Sequence, residues 1–240
     1  MQHYVDAVRS AELVRRSGKV LAVTGHSIEA AGPEAALGEL CELPLGGGKT
    51  LLAEVVGLRP GRVVLMPYGE PRGVGAGTEV LVSGSAPGIG VGAALLGRVI
   101  DPFGVPLDGG AVPQPLTMRS LYAPPINPLR RPPIDRLLET GVRAIDSLLP
   151  LGCGQRVGIF AGSGVGKSTL LGMLARRVTS DVNVIALIGE RGREVREFVE
   201  SQLGEEGLRR SVVLVATSDQ PALVRLRAAH AATAIAEYFR

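Results

Sequence analysis

The run AGSGVGKST at Ala161 to Thr169 brings three glycines, a lysine and adjacent hydroxyls into one short stretch. Glycines lack a Cβ, so successive backbone N–H groups can converge on one anion. A helix start directly behind them adds unpaired donors and a positive dipole end. The chemistry this implies is phosphate binding by Gly162, Ser163, Gly164, Val165, Gly166, Lys167, Ser168 and Thr169. Lys167 would reach the β/γ-phosphates and the Ser168 hydroxyl would ligate Mg²⁺, which points to ATP with magnesium. The P-loop pattern places Gly five residues before the Gly-Lys pair, and Ala161 stands there instead. The basic residues argue against an ordinary glycine turn. Only Lys19, Lys49 and Lys167 of the 26 are lysines, and one of them falls where a compact point charge suits phosphate better than a planar fork.

Such a loop needs a strand before it and a helix after it. Gln155 to Phe160 (QRVGIF) is an apolar run of strand type, and Leu170, Leu171, Leu174 and Val178 recur at helical spacing. Asp181 to Ile188 (DVNVIALI) suits a buried parallel strand and runs into Gly189-Glu190-Arg191. A helix with Val195, Phe198, Val199 and Leu203 on one face follows, then a further strand, Ser211 to Ala216 (SVVLVA). Ser218 or Asp219 can cap the next helix, with Pro221 in its first turn. Strand–helix alternation gives a right-handed parallel sheet with ligands at the carboxyl ends of its strands. Lys167, Glu190 and Asp219 are therefore expected on one rim. Glu190 reads as the residue that polarises an attacking water, against the plainer alternative of a surface carboxylate. Asp219 reads as either a Mg²⁺-coordinating acid or a helix cap.

The N-terminal part has a different grammar. Val5 to Arg16 reads as a short amphipathic helix, a frayed terminal helix in preference to a tip that meets a partner or the membrane. From Gly18 to about Ile100, short β-rich runs alternate with glycine or proline: Val20 to Val23, Gly38 to Leu43, Leu51 to Gly57, Val63 to Met66, Val80 to Ser83 and Leu95 to Ile100. Six such runs predict a small β-barrel, closed so that no edge strand is left exposed. Gly46-Gly47-Gly48-Lys49 resembles half a P-loop, but strand follows it, and it reads as a hairpin turn. Ten of the 17 prolines fall between Pro102 and Pro150, which predicts a stiff extended connector. Within it, Arg130 and Arg131 read as a solvated pair in preference to phosphate contacts. The expected organisation is an N-terminal helix over residues 1–17, a β-barrel over 18–100, a connector over 101–133 and an α/β domain over 134–240.

Composition narrows the classes. A hydrophobic fraction of 45% belongs to a folded chain. Aromatics are 3%, tryptophan is absent and the net charge is only +3, which disfavours a nucleic-acid-binding surface. Cys41 and Cys153 lack metal-ligand spacing, and His3, His26 and His230 have no partners at such spacing. A cytoplasmic protein with reduced thiols is expected.

Several stretches together resemble the export ATPases of flagellar and type III secretion systems, relatives of the F-type ATP synthase catalytic subunits. They are LLGRVIDPFGVPLDG, PPINPLRRPPI, TGVRAIDSLLPLGCGQRVGIFAGSGVGKSTLLGMLAR, DVNVIALIGERGREVREF and SVVLVATSDQP through AIAEYFR, within a likeness running from about Gly18 to Arg240. Ala161 is usual in the flagellar branch. The resemblance implies an α/β protein with an all-β N-terminal domain: a six-stranded β-barrel followed by a partial RecA-like P-loop NTPase domain. It implies a homo-hexameric ring that hydrolyses Mg-ATP to drive export, with Glu190 activating water, Arg191 near the phosphates and Asp219 not the metal acid. It further implies stalk, export-gate and regulator proteins, chaperones and export substrates as partners, no nucleic acid, and a place at the cytoplasmic face of the plasma membrane. The family's Mg²⁺-coordinating Asp, arginine finger and C-terminal helical domain are expected beyond Arg240, so these 240 residues alone are expected to show little or no steady-state hydrolysis. The competing classes are a hexameric RecA-like nucleic-acid translocase, a rotary synthase subunit and a non-catalytic nucleotide-binding fragment.

Overall fold

One shared core and continuous pairing show how the N-terminal unit closes. The computed structural model describes residues 15–84, 86–162 and 164–240, so the helix expected over Val5 to Arg16 lies almost wholly outside the described residues. The strands are β1 (Ser17–Thr24), β2 (Ser27–Ala31), β3 (Leu40–Pro44), β4 (Thr50–Arg59), β5 (Arg62–Pro67) and β6 (Glu79–Val82). They form a closed barrel in the order β1-β2-β5-β4-β3-β6. Every second residue of β2, β5 and β6 is buried, and Val20, Ile28, Cys41, Leu43, Val55, Leu65 and Val80 meet in one core. Register shifts between Val20 and Ala22 and between Val55 and Gly57 bend β1 and β4, which is how strands curve enough to close. Gly46, Gly47 and Gly48 all take positive φ in the β3–β4 hairpin, and the Leu45 N–H donates to the Lys49 carbonyl at 2.9 Å. This is the turn that the strand after it predicted.

Six strands are found, but not the expected six. Ser27–Ala31 belongs to the barrel although its Glu and Ala are poor strand formers. Leu95 to Ile100 does not belong. Ala93–Leu95 is a 3₁₀ turn, and only Val99–Ile100 is strand, paired in another sheet. The chain accordingly divides between Pro87 and Gly88, earlier than the expected boundary near Ile100.

The second unit is built on parallel pairing. Its strands are β7 (Gly88–Val91), β8 (Val99–Ile100), β9 (Thr117–Ser120), β10 (Leu137–Leu138), β11 (Leu151–Gly152), β12 (Asn183–Ile188) and β13 (Ser211–Ala216). Its helices are α1 (Arg143–Leu148), α2 (Lys167–Arg177), α3 (Gly192–Glu197), α4 (Gly204–Arg209) and α5 (Ala222–Phe239), with a π-helical segment at Phe198–Leu203. The sheet order is β12-β13-β8, all parallel, and β13 is buried along its whole length. Phe198 and Leu203 pack under it with Val213 and Val215. One side of α5 is also buried, chiefly through Leu223, Val224, Ala228, Ala231 and Ile235.

One expectation about this unit is corrected, and another gains detail. Residues 101–133, expected as a stiff connector, pack on this unit. The strand β9 pairs antiparallel with β7, Leu121 is buried, and Arg119 reaches Glu237 on α5 at 3.2 Å. Gln155 to Phe160 forms no strand, and the Phe160 side chain is 96% exposed. Its alternation marks a segment able to sit in a sheet, but among the described residues no strand lies beside it. A phenylalanine left in solvent forgoes about 2–3 kcal/mol of burial.

Arg98 and Asp108 lock the loop after β8. The guanidinium donates twice to the carboxylate at 2.7 Å, and the Val99 and Gly110 N–H groups donate to the same side chain at 3.1 and 3.0 Å. The Arg98 bonds, helped by those two N–H groups, hold the Asp108 carboxyl well below the usual carboxylate range. A depressed folded pKa stabilises the fold fully above the unfolded value near 4 and loses that contribution as pH falls through the folded value. Asp108→Asn should therefore cost about 1 kcal/mol near neutrality, the scale of a solvent-screened pair. Urea unfolding at a series of pH values should show the gap between wild type and variant closing on acidification. A pH-independent gap would contradict this account.

Candidate phosphate-binding site

The loop geometry comes from two glycines. Gly164 and Gly166 have φ of +74° and +95°, a region L side chains rarely adopt. A Cβ built on Gly162, Gly164 or Gly166 would meet nothing within 4 Å, so the space beside the loop is open. Gly166 is the N-cap of α2 and has no side-chain cap, and the first helical bond runs from the Leu170 N–H to the Gly166 carbonyl. The leading N–H groups of the helix, at Lys167, Ser168 and Thr169, are thus free of intrahelical partners and aimed at the loop. Ser168 and Thr169 are exposed, as are Gly162 and Val165. Ser163 lies outside the described residues.

Pairing at the sheet end brings the first carboxylate to this loop. The register of β12 on β13 sets Ile188 beside Ala216, so both strands end at one level. Pairing continues past them: the Gly189 N–H donates to the Ala216 carbonyl at 2.7 Å, and the Ser218 N–H to the Glu190 carbonyl at 3.0 Å. Glu190 stands half-buried on this rim with an Oε1 3.5 Å from Lys167 Nζ. The ammonium and carboxylate that sequence reasoning assigned to phosphate and to water are therefore neighbours, 23 residues apart in the chain.

Arg191 and Asp219 take more local parts. Arg191 is the N-cap of α3; its N–H donates to a Glu194 carboxylate oxygen at 3.3 Å, and its guanidinium lies 3.9 Å from the other. The Arg191 N–H above all, then the charges of Arg191 and Arg193, keep the Glu194 pKa below its ordinary value. Asp219 sits past the end of β13, and the Thr217 hydroxyl lowers its pKa. It does not cap the helix. Pro221 occupies the N-cap position of α5, and no side chain bonds to the helix start.

The supports of α2 were not read from the sequence. Its leucine face is only partly buried, and the buried residues are Gly172 and Ala175. A Cβ on Gly172 would lie 2.9 Å from the Gln202 carbonyl oxygen, so glycine permits the helix to close on the π-helical segment. At the other end Arg210 forks onto the carbonyls of Val178, Ser180 and Ala175, each at 3.0 Å. The Ala175 and Val178 carbonyls belong to the C-terminal end of α2, where acceptors lack intrahelical partners, and Ser180 lies just beyond it. Asp146 gathers the Thr140 N–H and hydroxyl and the Gly141 N–H at 2.9, 2.7 and 3.0 Å, which fixes the turn before α1. The signal was a Thr six residues before an Asp at a helix start, visible only once a turn is assumed.

Glycines at positive φ opening on an uncapped helix, with a lysine paired to a carboxylate at a strand end, define a P-loop nucleotide-binding domain, here joined to a closed β-barrel. The chain belongs to the ATP synthase alpha/beta family: residues 20–84 match its beta-barrel domain and residues 141–240 its nucleotide-binding domain. It is 54% identical over its whole length to the flagellum-specific ATP synthase of Bacillus subtilis (strain 168), covering 55% of that protein. It is 51% identical to the type 3 secretion system ATPase of Xanthomonas euvesicatoria over 94% of this chain and 51% of the other. Among solved structures, the assembled ATPase EscN in complex with its central stalk EscO, from the enteropathogenic E. coli type III secretion system, superimposes with a TM-score of 0.84 at 47% identity. That match covers 92% of this chain and 54% of EscN. The chain thus spans about half the length of the relatives it matches.

The Lys167–Glu190 pair is too exposed to hold the fold together, with 42% and 32% of its side chains accessible. Lys167→Ala should change the unfolding free energy by less than about 1 kcal/mol. A markedly larger loss in urea titration would show that Lys167 is a structural residue.

Proposed function

We propose that this chain binds Mg-ATP at Gly162 to Thr169 and forms the nucleotide-binding part of an ATPase that energises protein export by a flagellar or type III secretion apparatus. The observation that carries the reading is the neighbourhood of Lys167 and Glu190 at the mouth of a glycine loop, in a chain similar from end to end to flagellum-specific ATP synthases. The N–H groups of Lys167, Ser168 and Thr169 cradle the phosphates, and the Lys167 ammonium takes the charge of the terminal ones. With the ammonium drawn to phosphate, Glu190 loses its ion-pair partner and is left to polarise the attacking water. Arg191 adds positive charge beside it. When bound, Mg²⁺ would shield the phosphate charge, and the Ser168 hydroxyl would be this chain's ligand to it, an oxygen donor of the kind that cation prefers.

Assembly belongs to the same proposal. The EscN structure named above is of an assembled ATPase in complex with its central stalk, which supports assembly of several copies with a stalk here; six copies in a ring is the number that the resemblance to export ATPases implies. Export-gate and regulator proteins, chaperones and export substrates are the further partners, and the cytoplasmic face of the plasma membrane is the place of work. Among the described residues no helix is long and apolar enough to cross a membrane.

Equilibrium dialysis with Mg-ATP tests the reading. Wild type should bind; Lys167→Ala should weaken binding at least about tenfold, the loss of one strong charge-assisted contact. Glu190→Gln should keep wild-type affinity, because the carboxylate acts on water and holds no phosphate oxygen. Absence of Mg-ATP affinity in the folded wild-type chain would overturn the proposal.

A further inference from the structure

A second concave surface in the Gly88–Arg240 unit is lined by positive charge. Arg130, Arg131 and Arg156 border one cavity of about 630 Å³, and none of its lining residues belongs to Gly162–Thr169. Among the described residues none of these three arginines is ion-paired with a carboxylate. The Glu237 side chain on the wall is already engaged by Arg119 at 3.2 Å. A cleft lined by one sign of charge concentrates counter-ions. Guanidinium forks match phosphate oxygens in geometry as well as in charge.

The wall is also stiff, which separates it from a merely solvated surface. Pro124, Pro125 and Pro132 line it and fix φ on both sides of the arginine pair. Between them Asn127 Oδ1 accepts the Leu129 N–H at 3.0 Å and caps the 3₁₀ turn Pro128–Arg130. Arg130 and Arg131 are therefore presented by a backbone that need not be ordered on binding. The cavity lies within the usual volume range of small-molecule sites, roughly 300–1,000 Å³.

We infer that the Arg130–Arg131 cavity is a second anion site, taking a small ligand that carries phosphate groups. This goes beyond nucleotide binding at the glycine loop and does not depend on it. It also revises the reading of Arg130 and Arg131 as a solvated pair.

The two thiols supply a reporter. Cys153 lines the cavity, half-buried, with its Sγ 3.5 Å from the Leu137 carbonyl oxygen. Cys41 is buried inside the barrel, where desolvation pushes its pKa up to about 11, so it should not react near neutrality. Alkylation by neutral iodoacetamide then reads Cys153. The experiment uses the whole chain carrying Lys167→Ala, which weakens the competing phosphate site, with tripolyphosphate as the probe. Tripolyphosphate should slow Cys153 alkylation severalfold at low ionic strength, and the protection should fade toward roughly 0.5 M salt as screening shortens the reach of the charges. Arg130→Gln with Arg131→Gln should raise the concentration needed for protection about tenfold, while the unprotected alkylation rate and the unfolding curve stay as before. Unchanged alkylation under tripolyphosphate, or equal protection in the double variant, would overturn the inference. Either result leaves Mg-ATP binding by the Lys167-containing chain to be judged separately.

Discussion

The burial of β13 is the constraint on which the second unit depends. Six consecutive residues, Ser211 to Ala216, have no solvent-facing side. Both backbone edges are occupied, by β12 on one side and β8 on the other. A strand buried on both faces has no polar alternation to fix its register, so its ends must do so. At the start, the Asn183 N–H donates to the Arg210 carbonyl at 2.9 Å and the Gly97 N–H to the Ser211 carbonyl at 2.8 Å. At the finish, the bonds from Gly189 to Ala216 and from Ser218 to Glu190 close the ladder. A slip of one residue would break these end bonds and move Glu190 away from Lys167. The placement of the rim carboxylate is therefore a consequence of backbone pairing.

How legible this was in the sequence varied with whether the signal was local. The glycine loop is local: the positive φ at Gly164 and Gly166 follows from residue type, and the pattern was readable without any fold. The strands β12 and β13 were equally clear, since long apolar runs in an α/β alternation have few other uses. Partnership was not legible. Gln155 to Phe160 has the composition of a strand, yet a strand exists only beside another, and the residues hold no trace of which neighbour is present. Leu95 to Ile100 shows the converse. Its last two residues are strand because β13, more than a hundred residues later, offers an edge. Ser27–Ala31 escaped notice because its two inward residues, Ile28 and Ala30, give a weak alternation that only barrel closure rewards.

The division of labour among basic residues was half visible. The scarcity of lysine singled out Lys167, but not what the arginines do instead. Arg98 clamps Asp108 with two bonds, Arg210 holds three carbonyls, and Arg227 donates to the carbonyls of Pro102 and Gly88 while its guanidinium lies 4.5 Å from the centre of the Phe103 ring. Each position asks for a planar fork that serves several fixed oxygens at once, which an ammonium on a flexible stem cannot do. Conservation of charge alone would not preserve them.

The converse holds at the loop. Lys167 makes one ion pair, at 3.5 Å and half in solvent, a contact weak enough to be exchanged. An arginine there could hold a carboxylate through two parallel bonds and would give it up less readily. The same chain thus uses arginine where geometry must be kept and lysine where a charge must change partners. On that principle the arginines around Cys153 stand out, because they line a wall and, among the described residues, none of them is ion-paired with a carboxylate. Forks with no fixed oxygen to serve are either surplus surface charge or the waiting half of a contact. The proline-stiffened backbone beneath Arg130 and Arg131 argues for the second, since surplus charge would not require that its backbone be held in advance.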